Sequence, residues 1–437
     1  MTKYIKSQEA LPSCLHLWDP MPTQTAIMNS KVMEFSPISS IADSDTISFT
    51  IPPFPNYMLD SIEVITELRV IAGDGEFLAE NVNVGTVPHL AASLWRNVDV
   101  SIDNTNLMQS IENSYVMFKF WDTVLHHGQA SNALLKHKEG LILDHVTKAQ
   151  SEDTTYFPVA VENVTPPVVN LQGKHRAHRI QRSRKVCLVS DLNVPIFKQS
   201  KLLPTNLKIS VSLTKNFDGF VLMSAANGTE KLQFEKVVLR CLFHQPSDVV
   251  LSLIEERLAT ENAIYRSDRK IMSFHPLTTG AREVTLSNIF TGTLPYFFVM
   301  GVQDRTSFGR HRNKNCFTLY PIKKLQAYVN NQSVFASPVE RTDHDYTNSY
   351  STLIAESGMP NHGDTLLHNC YNSYPALACD LTRDKSLNSS SMNISQSGTV
   401  NLVIEFSEDL PANRVLMILA WYEQIVEISK NREITVI

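Results

Sequence analysis

The sequence predicts an all-β chain built of two antiparallel β-sandwiches of the jelly-roll type, with a few short helices in the connections. Three observations carry this. Apolar residues alternate with polar ones at period two through much of the chain, as in strands with one core face and one wet face. No strand-helix-strand rhythm runs through it, which removes doubly wound and barrel α/β folds. Four short landmarks occur twice in the same order: an alternating strand ending in a polar turn (98–104, VDVSIDN; 325–331, LQAYVNN), Asn-Ser-Tyr (113–115; 348–350), Asp-Leu (191–192; 380–381) and Asn-Leu (206–207; 401–402). Internal repetition of this kind points to one domain present twice.

In chain order, Ile47, Phe49 and Ile51 form the first apolar face, against Thr46, Ser48 and Thr50. Ile62, Val64, Leu68 and Val70 then oppose Glu63, Glu67 and Arg69. Residues 111–126, with Tyr115, Phe118, Phe120 and Trp121 and a stop at Gly128, predict a helix. Leu207, Ile209, Val211 and Leu213 against Lys208, Ser210 and Ser212 give the cleanest strand, and residues 232–243 another. Ser247 is placed to cap a helix that turns Val250, Leu253, Ile254 and Leu258 inward and Glu255, Glu256 and Arg257 outward. Val400, Leu402, Ile404 and Phe406 alternate again, whereas residues 415–422 are apolar throughout and predict a strand covered on both faces. Many strands with long polar connections favour the jelly roll among sandwiches.

A boundary between the copies fits residues 244–248. The division is an N-terminal arm over 1–30, a first jelly roll over 31–245, and a second over 246–437. The second and third landmarks lie 78 residues apart in the first copy and 32 in the second. The first copy therefore carries about 46 extra residues, expected as a long loop insertion near 126–186 on the surface.

A length of 437 residues suits two domains. The net charge of −5 gives no overall attraction to nucleic acid. Six scattered cysteines with no Cys-x-x-Cys pair argue against a zinc ribbon or a thioredoxin-like site and read as buried thiols. No secretory signal is legible in residues 1–20, and no apolar run reaches the roughly 18 to 20 residues of a membrane helix. The expectation is a soluble protein made in a reducing compartment. The Asn-x-Ser/Thr triplets at Asn163, Asn227, Asn331, Asn388 and Asn393 are then not glycosylated.

The strongest charge feature lies in the extra segment. Lys174, Arg176, Arg179, Arg182, Arg184 and Lys185 fall within twelve residues containing no acid. The segment reads as a loop that is either solvated or in contact with a neighbouring subunit or phosphate. With no interleaved aromatics it has no base-stacking platform. A weaker basic group, Arg305, Arg310, Arg312 and Lys314, reads as a loop tip. A cupin-type metal site needs His-x-His with a nearby Glu and a distal His. His126-His127, His175-x-x-His178 and His137-x-Glu139 lack that spacing. No dinucleotide or Walker loop and no nucleophile elbow occurs. The expectation is no catalytic, cofactor-binding or metal residue, and no enzyme. Glu255-Glu256 reads as a solvated helix face.

Residues 350–358 (YSTLIAESG), 379–382 (CDLT), 388–391 (NSSS), 398–406 (GTVNLVIEF) and 423–436 (EQIVEISKNREITV), with 22–25 (PTQT) and 32–37 (VMEFSP), resemble the hexon-type major capsid proteins of Polinton/Maverick elements and adintoviruses. The resemblance runs in order through most of the chain and is loose over 125–186. It implies a double jelly roll of two eight-stranded sandwiches, a homotrimeric capsomer with six similar lobes, and an icosahedral virion capsid around double-stranded DNA. The partners implied are further copies of the chain in neighbouring capsomers, penton and minor capsid proteins, and non-specific contact with packaged DNA. Synthesis and assembly would take place inside the host cell. Competing readings are a minor capsid or penton protein, a domesticated host copy, and a cupin-like metal enzyme.

Overall fold

The computed structural model describes residues 21, 23–80, 82–144, 171–224, 228–304, 322–341, 345–358, 365–367, 370–371, 374–385, 387 and 391–437. The first half contains β1 (Ile27–Phe35), β2 (Thr46–Ile51), β3 (Met58–Ile71), β4 (Gly85–Thr86), β5 (Trp95–Ile102), β6 (Thr105–Gln109), β7 (Val186–Asp191), β8 (Ile209–Lys215), β9 (Leu222–Met223) and β10 (Lys231–Pro246). The second contains β11 (Ala263–Pro276), β12 (Glu283–Thr293), β13 (Phe297–Asp304), β14 (Ile322–Val329), β15 (Gln332–Ser333), β16 (Val339–Arg341), β17 (Leu377–Asp380), β18 (Ser397–Phe406), β19 (Arg414–Ile428) and β20 (Ile434–Val436). The main helices are α1 (Ser114–His126), α2 (Asn132–Lys138), α3 (Leu171–Ile180), α4 (Asp248–Leu258) and α5 (Thr347–Glu356).

The strand orders repeat. One half has sheets β1-β10-β3-β7 and β2-β8-β5-β6; the other has β11-β19-β13-β17 and β12-β18-β14-β15. Substituting each strand of the first half by its counterpart in the second converts one pair of sheets into the other, and each pair is the two-sheet jelly roll. β16 joins β14, β20 joins β19, and β4 pairs with β9, as additions to this common frame. The landmarks fall on matching places. Asp103-Asn104 and Asn330-Asn331 both have positive φ, 45° and 75° in one turn and 47° and 68° in the other. Two consecutive left-handed residues make the tight turn that the right-handed twist of β5-β6 and β14-β15 requires, and Asn and Asp tolerate it best after glycine. Asp191 and Asp380 end β7 and β17.

The alternation sets the cores. Ile209 and Val211 are 2% and 0% exposed, Val400 and Ile404 0% and 1%. Each sandwich closes its own cluster, around Val64, Val98, Val211 and Leu239 in the first and Phe298, Leu325, Ile404 and Ile418 in the second. A third cluster lies between them, where Phe118, Trp121, Leu135 and Leu141 meet Phe297, Leu419 and Trp421. Trp421 packs edge-on against Phe118 with centroids 5.0 Å apart. This accounts for the unbroken apolar run at 415–422: one face of β19 lines its own sandwich and the other receives α1. Tyr265, Val426 and Ile428, from β11 and β19, are moreover buried in the core of the first sandwich.

Both sandwiches point the same way. Near the start of β11 and the end of β19, Tyr265 Oη donates to Leu202 O at 2.8 Å and Arg432 Nε to Thr205 O at 2.7 Å, joining the connection between β7 and β8. At the opposite end Phe274, Pro276 and Val415 face Arg96 and Phe217 across a cleft. β3, β6 and β8 end, and β5, β7 and β10 begin, at this same cleft end of the first sandwich.

Several expectations change. Residues 27–30, assigned to an arm, begin β1 and pair with β10. The segment following α1 is not a surface loop in its described parts. It forms α2 and α3, and Leu135, Leu141 and Leu143 are buried against the second sandwich because the leucines that follow the aromatic helix extend its apolar wedge. α4 is capped by Ser247 as its sequence requires, with Val250 N donating to Ser247 Oγ at 3.4 Å. Its Leu253, expected inward, is 58% exposed. Glu255, expected in solvent, instead pairs with Arg432. Residues 1–20, 145–170 and the basic group at 305–314 lie outside the described residues.

Candidate functional site

The basic segment is a helix followed by one tight turn. Arg176, on its buried side, is 1% exposed. Its guanidinium donates to Thr86 O at 2.6 Å, Ile142 O at 2.8 Å and Asp144 Oδ1 at 2.6 Å. Arg179 donates to the carbonyls of Lys136 and His137 at 3.0 Å, satisfying the end of α2. Arg182 pairs with Glu80, and Lys185 with Glu67 at 2.7 Å. Lys174 and Arg184 remain exposed. Four of the six cations singled out in the sequence, Arg176, Arg179, Arg182 and Lys185, are thus engaged within the chain. The acids among their partners come from residues 67, 80 and 144, too far along the chain for a local charge count to include them.

A second set of charges ties the insertion, through Glu139, to the rest of the first half. Glu139, 2% exposed, accepts from His89 Nε2 at 2.8 Å and from Lys119 Nζ at 3.0 Å. Burial alone would raise the Glu139 carboxyl, but the His89 hydrogen bond and the Lys119 charge outweigh it and hold the group well below the usual carboxylate range. Burial lowers the His89 imidazole, against the pull of Glu139. Lys119 Nζ also donates to Asp191 O at 3.0 Å.

A third set joins the sandwiches. Asp122 of α1 accepts from Lys270 of β11 at 2.6 Å and from Asn193 Nδ2 at 2.7 Å. Lys198 Nζ donates to Asn193 Oδ1 at 2.6 Å. Burial would raise Asp122, yet Lys270 and Lys198 bring it down to about 2. Burial pushes Lys198 down to about 8, with Asp122 resisting and Lys119 and Lys270 reinforcing the fall. These side chains come from residues 89–270 and no local pattern marks them. Only Glu139 is prefigured, as part of the discounted His137-x-Glu139.

Among the described residues no group of three or more His, Cys, Asp or Glu is arranged to hold a metal. No helix among them is long and apolar enough to cross a membrane. A cleft of about 800 Å³ opens between the sandwiches, walled by Met117, Phe217, Met272, Phe274 and Met417 and by the polar Arg96, Asn97, Glu112, Asn113 and Gln303. Its described lining mixes apolar and polar side chains and holds no histidine, cysteine, serine or threonine to pair with Glu112. What the arrangement does physically is lock two like sandwiches side by side, through an apolar wedge and the Asp122–Lys270 pair, while the Glu139 set ties the insertion to the first sandwich.

No family model matches the chain, and no curated protein matches its sequence. Solved structures do match. A chain of the Sputnik virophage, determined by cryo-electron microscopy, aligns over 99% of this chain and 93% of its own with TM-score 0.66 at 10% identity. The Faustovirus major capsid protein aligns over 94% and 92% with TM-score 0.59 at 9% identity. The mavirus major capsid protein aligns over 100% and 96% with TM-score 0.56 at 12% identity. The fold is the double jelly roll. At such identities the likeness is one of architecture across nearly the whole chain, with no residue-level role attached.

Proposed function

We propose that this chain is a major capsid protein, a structural subunit with no catalytic role. It forms a homotrimer whose six sandwiches make a pseudo-hexagonal capsomer in an icosahedral virion shell around double-stranded DNA. The observation that carries the reading is the exact repetition of strand order in two sandwiches held parallel. Three copies of a chain with two like lobes approximate sixfold symmetry, which lets a trimer tile a hexagonal sheet. The likeness to viral major capsid proteins along nearly all of the chain supports it, as do the apolar wedge and the Asp122–Lys270 pair that join the lobes.

Two complete sandwiches weigh against a fivefold-vertex protein, which has no need of six lobes. The motifs at 379–382 and 423–436 favour the Polinton/Maverick and adintovirus lineage within this class. Neighbouring capsomers and penton and minor capsid proteins are the partners on this reading. Contact with packaged DNA would fall to exposed cations such as Lys174 and Arg184. Light scattering coupled to size exclusion is expected to give a species of three times the 49.2 kDa chain, and electron microscopy rings with six lobes. A monomer at every protein and salt concentration would sink the trimer.

A further inference from the structure

His89 occupies an unusual position at the seam between the first sandwich and the helices inserted into it. The imidazole is 0% exposed. Its Nε2 spends its hydrogen on Glu139, and its Nδ1 has no hydrogen-bond partner. The seam is a strap of backbone. Ala91 N donates to Glu139 O at 3.0 Å, Ile142 N to Pro88 O at 2.7 Å, and Leu90 N to Gly140 O at 3.5 Å. Residues 139–142 thus lie across 88–91, between α2, whose end Arg179 caps, and Asp144, which Arg176 holds. Gly140 makes the crossing with φ +69°, and a Cβ there would sit 3.1 Å from that of Leu90.

Glu139 alone favours a second proton on the ring, and burial, Lys119 and His127 together outweigh it. Both oxygens of Glu139 are engaged, one by His89 and the other by Lys119 and, at 3.4 Å, Ser190 of β7. α1 presents Lys119, the phenol of Tyr115, which Glu139 influences, and the ring of Phe120, 6.3 Å from His89. Just past α1, His127 donates from Nδ1 to Thr123 O at 3.1 Å; it is a second half-buried imidazole that burial lowers. Asp191 of β7 offers its carbonyl to Lys119 while its carboxylate pairs with Lys138. A proton on His89 Nδ1 would create a buried donor with no acceptor and set a cation beside Lys119.

We propose that His89 is an acid-sensitive latch: protonating its imidazole releases the strap 139–142 from residues 88–91 and frees the inserted helices from the first sandwich. The sign follows from linkage. Burial brings His89 below its ordinary 6.5 while the strap is closed. Between that lowered value and 6.5 the open strap binds a proton that the closed one does not, so acid favours opening. Each unit of lowering is worth about tenfold in the open population. The latch rests on the folded chain alone and does not require assembly.

The test is amide hydrogen exchange on the full chain equilibrated at pH 7.4, 6.0 and 5.0, corrected for intrinsic rates. Protection at Ala91 and Ile142 is expected to fall about tenfold or more between pH 7.4 and 5.0, while Val211 in β8 keeps its own. His89→Gln keeps a donor to Glu139 and cannot titrate, and it should abolish the pH dependence at those amides. Unchanged protection in the parent chain overturns the latch, as does the same loss in His89→Gln. Should the variant fail to fold, exchange at the imidazole carbon of the parent chain still decides: a His89 titration at or above 6.5 overturns the proposal.

Discussion

Arg176 and Asp144 meet at 2.6 Å inside the protein, their side chains 1% and 2% exposed. A buried guanidinium is tolerated because its planar fork is filled from several directions, by Thr86 O and Ile142 O as well as the carboxylate. Arg176→Met removes the cation facing Asp144 and should cost about 3–5 kcal/mol in chemical denaturation. Arg176→Lys should recover less than half of that loss, because an ammonium cannot span the same acceptors.

Lys198 is the opposite case, a buried cation whose charge the fold bears at a cost. Its proton leaves at about 8 in the folded chain against an ordinary 10.5. Between those values the unfolded chain binds a proton that the folded one lacks, so this group makes stability rise with pH through that window. Lys198→Met should therefore stabilise the protein by about 1–3 kcal/mol at pH 7. The gain should shrink toward zero as pH approaches 10.5. Urea midpoints at pH 7 and 9.5 decide it, and an equal gain at both would discount the titration.

Charge reversal in the turn after α3 is expected to do little. Arg182 and its partner Glu80 are both more than half exposed, and water screens such pairs so that they add little to stability. Arg182→Glu should leave the thermal midpoint within about 2 °C and the salt dependence of self-association unchanged. A displaced salt profile would restore this turn as a contact between subunits.

Val211 and Ile404 occupy corresponding strands of the two sandwiches and are 0% and 1% exposed. Aspartate at either site buries an unpaired charge and should cost several kcal/mol or prevent folding. Circular dichroism and the yield of folded protein would show it, and a well-folded Ile404→Asp would contradict the packing of β18.

The sandwiches were legible because period-two alternation is local and each is built from it. Their twofold presence was legible because the turns Asp103-Asn104 and Asn330-Asn331 need left-handed residues and keep the same chemistry in both copies. What could not be read was docking between distant segments. Leu253 belongs to a periodic apolar stripe yet stays exposed, because periodicity says which residues share a face and not whether anything covers it. The basic run 174–185 looked free because Glu67, Glu80 and Asp144 are remote in sequence. The Asp122-Lys270 pair spans both halves, and neither residue has a neighbour that announces it.

Tyr265, Val426 and Ile428 fill part of the first sandwich's interior although they belong to strands of the second. A ribosome therefore finishes the first sandwich's strands well before it makes the side chains that complete their packing. Until β19 emerges, the nascent first half exposes an apolar gap beside the connection 192–208, and folding must wait on synthesis of a distant segment. The first sandwich's interior is in this sense completed by residues that the ribosome delivers last.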